Sequence, residues 1–145
     1  MMKIFNSTFE TSIRILILLD QIRIPLSRER IVNYDLMACF AKDFGVTDYN
    51  LHGEDHEEAA ELPARRIRVN NALKKLVLDG YVLPQKNNVF LFTLSNSGRQ
   101  YVHSLSSEYA SKYASAVNCI HHRFSSKNDS DLLIIICTRD KENTQ

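Results

Sequence analysis

The 145 residues contain no tryptophan and only four glycines, three prolines and three cysteines. So few glycines leave little backbone suited to cradling phosphate. No phosphate loop, dinucleotide fingerprint or Gly-x-Ser-x-Gly turn occurs, so the common catalytic frameworks have no visible apparatus. Cys39, Cys119 and Cys137 are odd in number, widely spaced and set in apolar segments. That is the pattern of reduced, buried thiols in a cytosolic protein rather than of a secreted disulfide scaffold. Long hydrophobic runs are also missing. The run Ile15 to Leu19 is flanked by Arg14 and Asp20 and falls far short of the ~20 apolar residues of a membrane span. The start of the chain, with Lys3 before Phe5 and Asn6, lacks a signal-peptide pattern, and a soluble protein is expected. Neither sign of charge dominates. A formal net charge of +1 argues against a free-standing protein that holds nucleic acid through a large electrostatic term.

What is present is enough for one core. With 44% hydrophobic and 24% charged residues, the composition suits a single globular unit that needs neither disulfide nor structural metal. Charge is segregated along the chain. Seven acidic residues and no Lys or Arg lie between Asp43 and Glu61, whereas Leu62 to Val102 carries seven basic residues against Asp79 alone. An acidic loop therefore precedes a basic half, as if two faces served different partners.

Phe9 to Ile22 reads as a first helix ending before Pro25, with Ile13 and Ile15 to Leu19 placing apolar groups around nearly its whole circumference. Ser27 can cap a second helix that runs to about Lys42, with Gly45 as its stop. It too is apolar on more than one stripe. Two such helices need more covering surface than the remainder readily supplies, which implies an obligate partner or a dimer. Val46 to Glu61 reads as a long loop. A third, amphipathic helix has Pro63 in its first turn and Gly80 as its stop, with Leu62, Val69, Leu73, Leu76 and Val77 on one face and Arg68, Asn71, Lys74 and Lys75 on the other. Tyr81 to Leu83 and Val89 to Leu94, joined at Asn87-Asn88, form a hairpin in which Pro84 demands an edge strand.

Ser95 or Asn96 can cap a long C-terminal helix with the stripe Tyr101, Leu105, Tyr109, Tyr113, Val117 and Ile120. Unbroken from Ser97 to Phe124 it would extend ~40 Å, and Ser106-Ser107 is where it would break. Residues 125–145 read as a linker, a short β-prone run from Leu132 to Cys137 and a frayed tail. The expected fold is mainly α with a small β hairpin: a winged helix, the helix-turn-helix derivative, spanning residues 1–124.

The chain resembles the middle component of ABC three-component systems, the small accessory protein of Lamassu-type anti-phage defence operons. Phe5-Asn6-Ser7 with Phe9-Glu10, the run Ile15 to Leu19, Asp35, Leu51-His52, Arg65-Arg66, the stretch Leu73 to Gly80 and Tyr109-Ala110 carry the resemblance. It covers residues 3–117. Gly53 stands where the family pattern has proline after the Leu-His pair, and no counterpart is recognised beyond Phe124. The resemblance implies a non-catalytic cytoplasmic adaptor encoded beside an ABC ATPase of the structural-maintenance-of-chromosomes (SMC) type and an effector, often a nuclease.

Candidate site residues fall into four groups. Ile13, Ile17 and Leu18 on helix one, with Tyr101, Tyr109 and Tyr113 on the last helix, form the favoured docking face, and Ile67 and Leu78 on the polar side of helix three point to a further protein contact. Arg65, Arg68, Lys74, Lys75 and, at the hairpin tip, Lys86 could face phosphates, the alternative being an ordinary solvated face. Arg66, at the edge of an apolar face, is expected to form a structural ion pair with Asp35 or Glu10. His52, Glu54, Asp55, His56, Glu57 and Glu58 lack the His-Glu-x-x-His spacing, so a solvated acidic loop is preferred to a metal site, and no cofactor is expected. The competing function is a dimeric winged-helix transcription regulator with helix three in the major groove. A metal-dependent enzyme built on the His52 loop is a third.

Overall fold

The computed structural model describes residues 7–52 and 58–143, the side chains of 58, 59 and 140–143 excepted. Mainly helical, it has six helices and a small antiparallel sheet among the described residues. Helix α1 (Thr8–Ile22) begins at Ser7, whose hydroxyl accepts from the Glu10 N–H, and ends where Arg23 turns left-handed at φ 62°. Strand β1 (Leu26–Ser27) leads directly into α2 (Arg28–Cys39), which Ser27 caps by accepting from the Arg30 N–H.

The chain then folds back on α2. Leu51 and His52 N–H groups both reach the Cys39 carbonyl, and Gly45 sits at φ 73°. Helix α3 (Glu58–Leu78) starts earlier than its proline implies, so that Pro63 lies in the second turn rather than the first. Gly80, at φ 82°, turns the chain into β2 (Val82–Asn87), Asn88 takes φ 68°, and β3 (Val89–Leu94) returns.

Strand order is β1-β3-β2, with Leu26 opposite Phe92 and Pro84 opposite Phe92 on the other side. Pro84 is thus confined to an edge strand, where its missing N–H breaks no ladder bond. The two-residue β1 has no counterpart in the sequence reading, because a pair of residues carries no alternation to detect.

The expected long C-terminal helix is in fact two helices. Ser104 to Ser107 separate α4 (Asn96–His103) from α5 (Glu108–Phe124), and Ser95 and Ser107 cap them by accepting from the Gly98 and Ala110 N–H groups. The β-prone segment is also corrected, since Leu132 to Cys137 belong to helix α6 (Asp129–Asn143). Tertiary packing overrides β-propensity here: Leu132 and Ile136, four apart, are fully buried in the main core, and α6 packs on α2 and α3.

Helix α1 runs through the middle of the molecule, against α3 and α5 chiefly, with α4, α2 and β3 completing its surroundings. Ile15 to Leu19 are therefore at most 2% exposed, enclosed by the chain's own elements. This overturns the inference that two all-round apolar helices need a second chain to cover them. The last three helices supply the missing surface, α6 among them. Cys39 is buried as expected, but Cys119 is half-buried and Cys137 exposed. No helix among the described residues is long and apolar enough to cross a membrane.

Candidate interaction surface

Four helices meet at one carboxylate. Asp35 on α2 has no exposed surface, and its Oδ1 accepts from Arg14 Nε of α1 at 2.9 Å and from the Tyr113 hydroxyl of α5 at 2.6 Å. Its Oδ2 accepts from Arg65 Nη1 of α3 at 2.5 Å and from Arg14 Nη2 at 3.3 Å. Arg14, Arg65 and Tyr113 are as fully buried as Asp35. Glu61, one turn before Arg65, lies 3.4 Å from Arg65 Nη2 and balances the second cation.

Burial alone would raise the Asp35 pKa. The charges of Arg14 and Arg65, with the Arg14 and Tyr113 hydrogen bonds, overcome it and hold the carboxyl well below the usual carboxylate range. Burial and then the Asp35 charge push the Tyr113 hydroxyl well above its ordinary value and the adjacent Cys39 thiol up to about 11. A carboxylate has roughly four lone-pair positions, and these donors fill them, so Asp35 is committed to holding helices together.

The ion-pair expectation is corrected by one residue. Asp35 pairs with Arg65, while Arg66 is half-exposed and approaches Glu29 at 3.5 Å. Arg65, assigned from sequence to the phosphate-facing set, is thereby removed from any surface. At 100° per residue, Arg65 and Arg66 sit about 50° to either side of the line through Leu62, Val69, Leu73 and Leu76, so periodicity cannot separate them. Buried Ala72 widens the packed face toward Arg65.

The docking face expected on helix one and the last helix is not a surface. Ile17, Leu18 and Tyr113 are at most 2% exposed and belong to the core, Ile13 and Tyr101 are partly buried against it, and Tyr109 is half-buried. Tyr109 instead meets His52 at 2.8 Å, hydroxyl to Nε2, with the rings stacked. Glu54, Asp55, His56 and Glu57 lie outside the described residues. No grouping of three or more metal-ligating side chains occurs among the described ones.

What α3 and the hairpin present to solvent is apolar at its centre. Ile67 is 64% exposed, Leu78 85% and Phe90 52%. Two adjoining depressions of about 490 and 530 Å³ run between α3 and the hairpin, sharing Arg28, Asn70, Phe90 and Phe92 in their walls. Arg28 Nη1 donates to Asn70 Oδ1 at 2.7 Å, tying the start of α2 to the middle of α3 along this groove. Residues opposite one another in a ladder point to the same side of the sheet, so Lys86 shares the Phe90 face and Pro84 the Phe92 face. Lys74 lines the groove, and Lys75, exposed, pairs with Asp79 one turn on at 3.5 Å. Arg68 lies 3.7 Å from Glu61 and is mostly covered.

The sequence reading singled out Ile67 and Leu78 as stranded on a polar face. It missed Phe90 and Phe92, whose strand alternation gives no clue to which side of a hairpin is covered. Over residues 4–145 the sequence matches the family model described as ABC-three component (ABC-3C) system Middle Component 2. No curated protein and no solved structure gives a match. The match extends through α6, beyond residue 117, where the resemblance read from the sequence ends.

Proposed function

Because the chain belongs to the Middle Component 2 family of ABC-three component systems, we propose that it is a non-catalytic adaptor subunit of an anti-phage defence complex. In this reading it acts in the cytoplasm, in a Lamassu-like assembly, joining an SMC-like ABC ATPase to an effector such as a nuclease. Its body is a winged helix: the order α1-β1-α2-α3-β2-β3 and the strand order β1-β3-β2 support that assignment. The last three helices, α4 to α6, would be the additions that close its core.

The observation that carries the adaptor role is the character of the α3 and hairpin face. In a DNA reader this face meets bases and phosphates and is polar and basic. Here Ile67, Leu78 and Phe90 stand exposed on it, and Arg65 is withdrawn into the core. Exposed apolar patches on a chain with a closed core mark protein contact.

Tagged chain co-expressed with its two operon neighbours should retain both through purification. A well-behaved monomer that ignores both neighbours would remove the adaptor role. Lys74, Lys75 and Lys86 favour a second reading, a winged-helix DNA regulator. That reading requires sequence-specific duplex binding that weakens steeply with salt.

A further inference from the structure

The groove between α3 and the hairpin has a definite length, a definite charge and one obstructed mode of binding. From Ile67 to Leu78 the helical rise is roughly 16 Å, about three turns of a partner helix. Arg28, Arg66 and Lys74 line it, against Glu29 and Asp129, and Lys86 stands opposite Phe90 on the same side of the hairpin. Both of those acids are already engaged, Glu29 with Arg66 at 3.5 Å and Asp129 with Arg30 at 2.7 Å. The groove's free edge is β2, and Pro84 interrupts its line of N–H donors, which disfavours addition of a strand.

Resting on the adaptor reading, we propose that this groove receives one amphipathic helix from another subunit, about three turns long, with acidic residues flanking an apolar stripe. The stripe lies over Ile67, Phe90 and Leu78, and the acids face Arg28, Lys74 and Lys86. A second copy of this chain is the wrong occupant. A two-fold contact would set the same cations against one another, and like charges opposed across an interface are unfavourable. Nucleic acid is also a poor occupant, because phosphates need donors where Ile67 and Leu78 offer hydrocarbon.

The test places the photo-reactive residue p-benzoylphenylalanine at Leu78, at Phe90 or, as a control, at Ile134, which is 62% exposed on α6. Each full-length variant is co-expressed with both operon neighbours, and the purified complex is irradiated. Leu78 and Phe90 positions should cross-link to one shared segment, with Asp and Glu in excess of Lys and Arg and apolar residues every three or four positions. Phe90→Asp should weaken the complex roughly tenfold or more, as expected for a central anchor. Lys74→Glu with Lys86→Glu should slow association about tenfold at low salt, and Lys in place of the partner's acids should restore it.

Cross-links to a second copy of this chain, to nucleic acid, or to a basic or aperiodic segment overturn the inference. So do cross-links confined to Ile134, a result that leaves the adaptor role standing and moves its surface elsewhere. If neither neighbour co-purifies, the adaptor role falls and this groove assignment falls with it.

Discussion

Asp35 concentrates more of the architecture than any other side chain, since its carboxylate joins α1, α2, α3 and α5 without a path to solvent. Asp35→Asn removes the charge that two buried guanidinium groups need, and a loss of about 3–5 kcal/mol is expected. Arg66→Ala, one residue from Arg65 but half-exposed, should cost under ~0.5 kcal/mol. Urea unfolding of both variants checks the pair. Comparable midpoints would mean that the charge cluster contributes nothing. The same carboxyl sets a pH dependence. Its folded-state pKa lies below that of the unfolded chain, so the unfolded state binds the extra proton and stability rises with pH. The contribution is complete above about pH 4 and is lost as pH falls toward the folded-state value. Thermal melts of Asp35→Asn between pH 2 and 5, relative to wild type, should therefore lack most of the acid slope.

Helices α4, α5 and α6 bring the covering surface that a bare arrangement of three helices and a hairpin lacks. Ser27 hydroxyl and Arg30 Nε hold Asp129 at 3.1 and 2.7 Å, while Arg30 Nη2 donates to the Lys127 carbonyl at 2.6 Å, so α6 is latched at its first turn. Deleting residues 129–145 would uncover the contacts of Leu132 and Ile136, each worth ~1.5–3 kcal/mol. A drop in melting temperature is expected where a frayed tail would give none. Caps were the most legible part of the sequence: Ser27, Ser95 and the Ser106-Ser107 break all lie where hydroxyl chemistry placed them, because a cap is a local device. The tail was misread because Leu132 to Cys137 is β-prone by composition, and only its packing on α2 and α3 decides for helix. Arg65 and Arg66 were exchanged for a similar reason. Their helical angles are symmetric about the apolar line, and the choice depends on where α1 and α2 lie.

At the scale of the molecule, the described residues close their own core. The chain expressed alone is expected to fold as a monomer with one cooperative melt, and light scattering with size-exclusion chromatography measures this. An obligate dimer or an aggregate would revive the need for a covering partner. Order and type of the first elements were readable from periodicity and turn residues, since those signals are local. How α4 to α6 wrap α1 was not, because enclosure depends on contacts between segments distant in sequence. The candidate surface followed the same division. Ile67 and Leu78 betrayed themselves by breaking a helical pattern, whereas the hairpin's contribution through Phe90 and Phe92 required its register.

Cys39 sits beside this charge cluster, its sulfur 3.7 Å from Arg65 Nη1, shielded and with its thiol raised to about 11. Such a sulfur is inert to alkylation while the helices stay closed, because only the thiolate reacts and no reagent reaches it. With Cys119 and Cys137 changed to serine, iodoacetamide uptake at this one atom becomes a clock for opening of the interior. Its rate in the presence of other subunits would tell whether assembly tightens the fold or pries it apart.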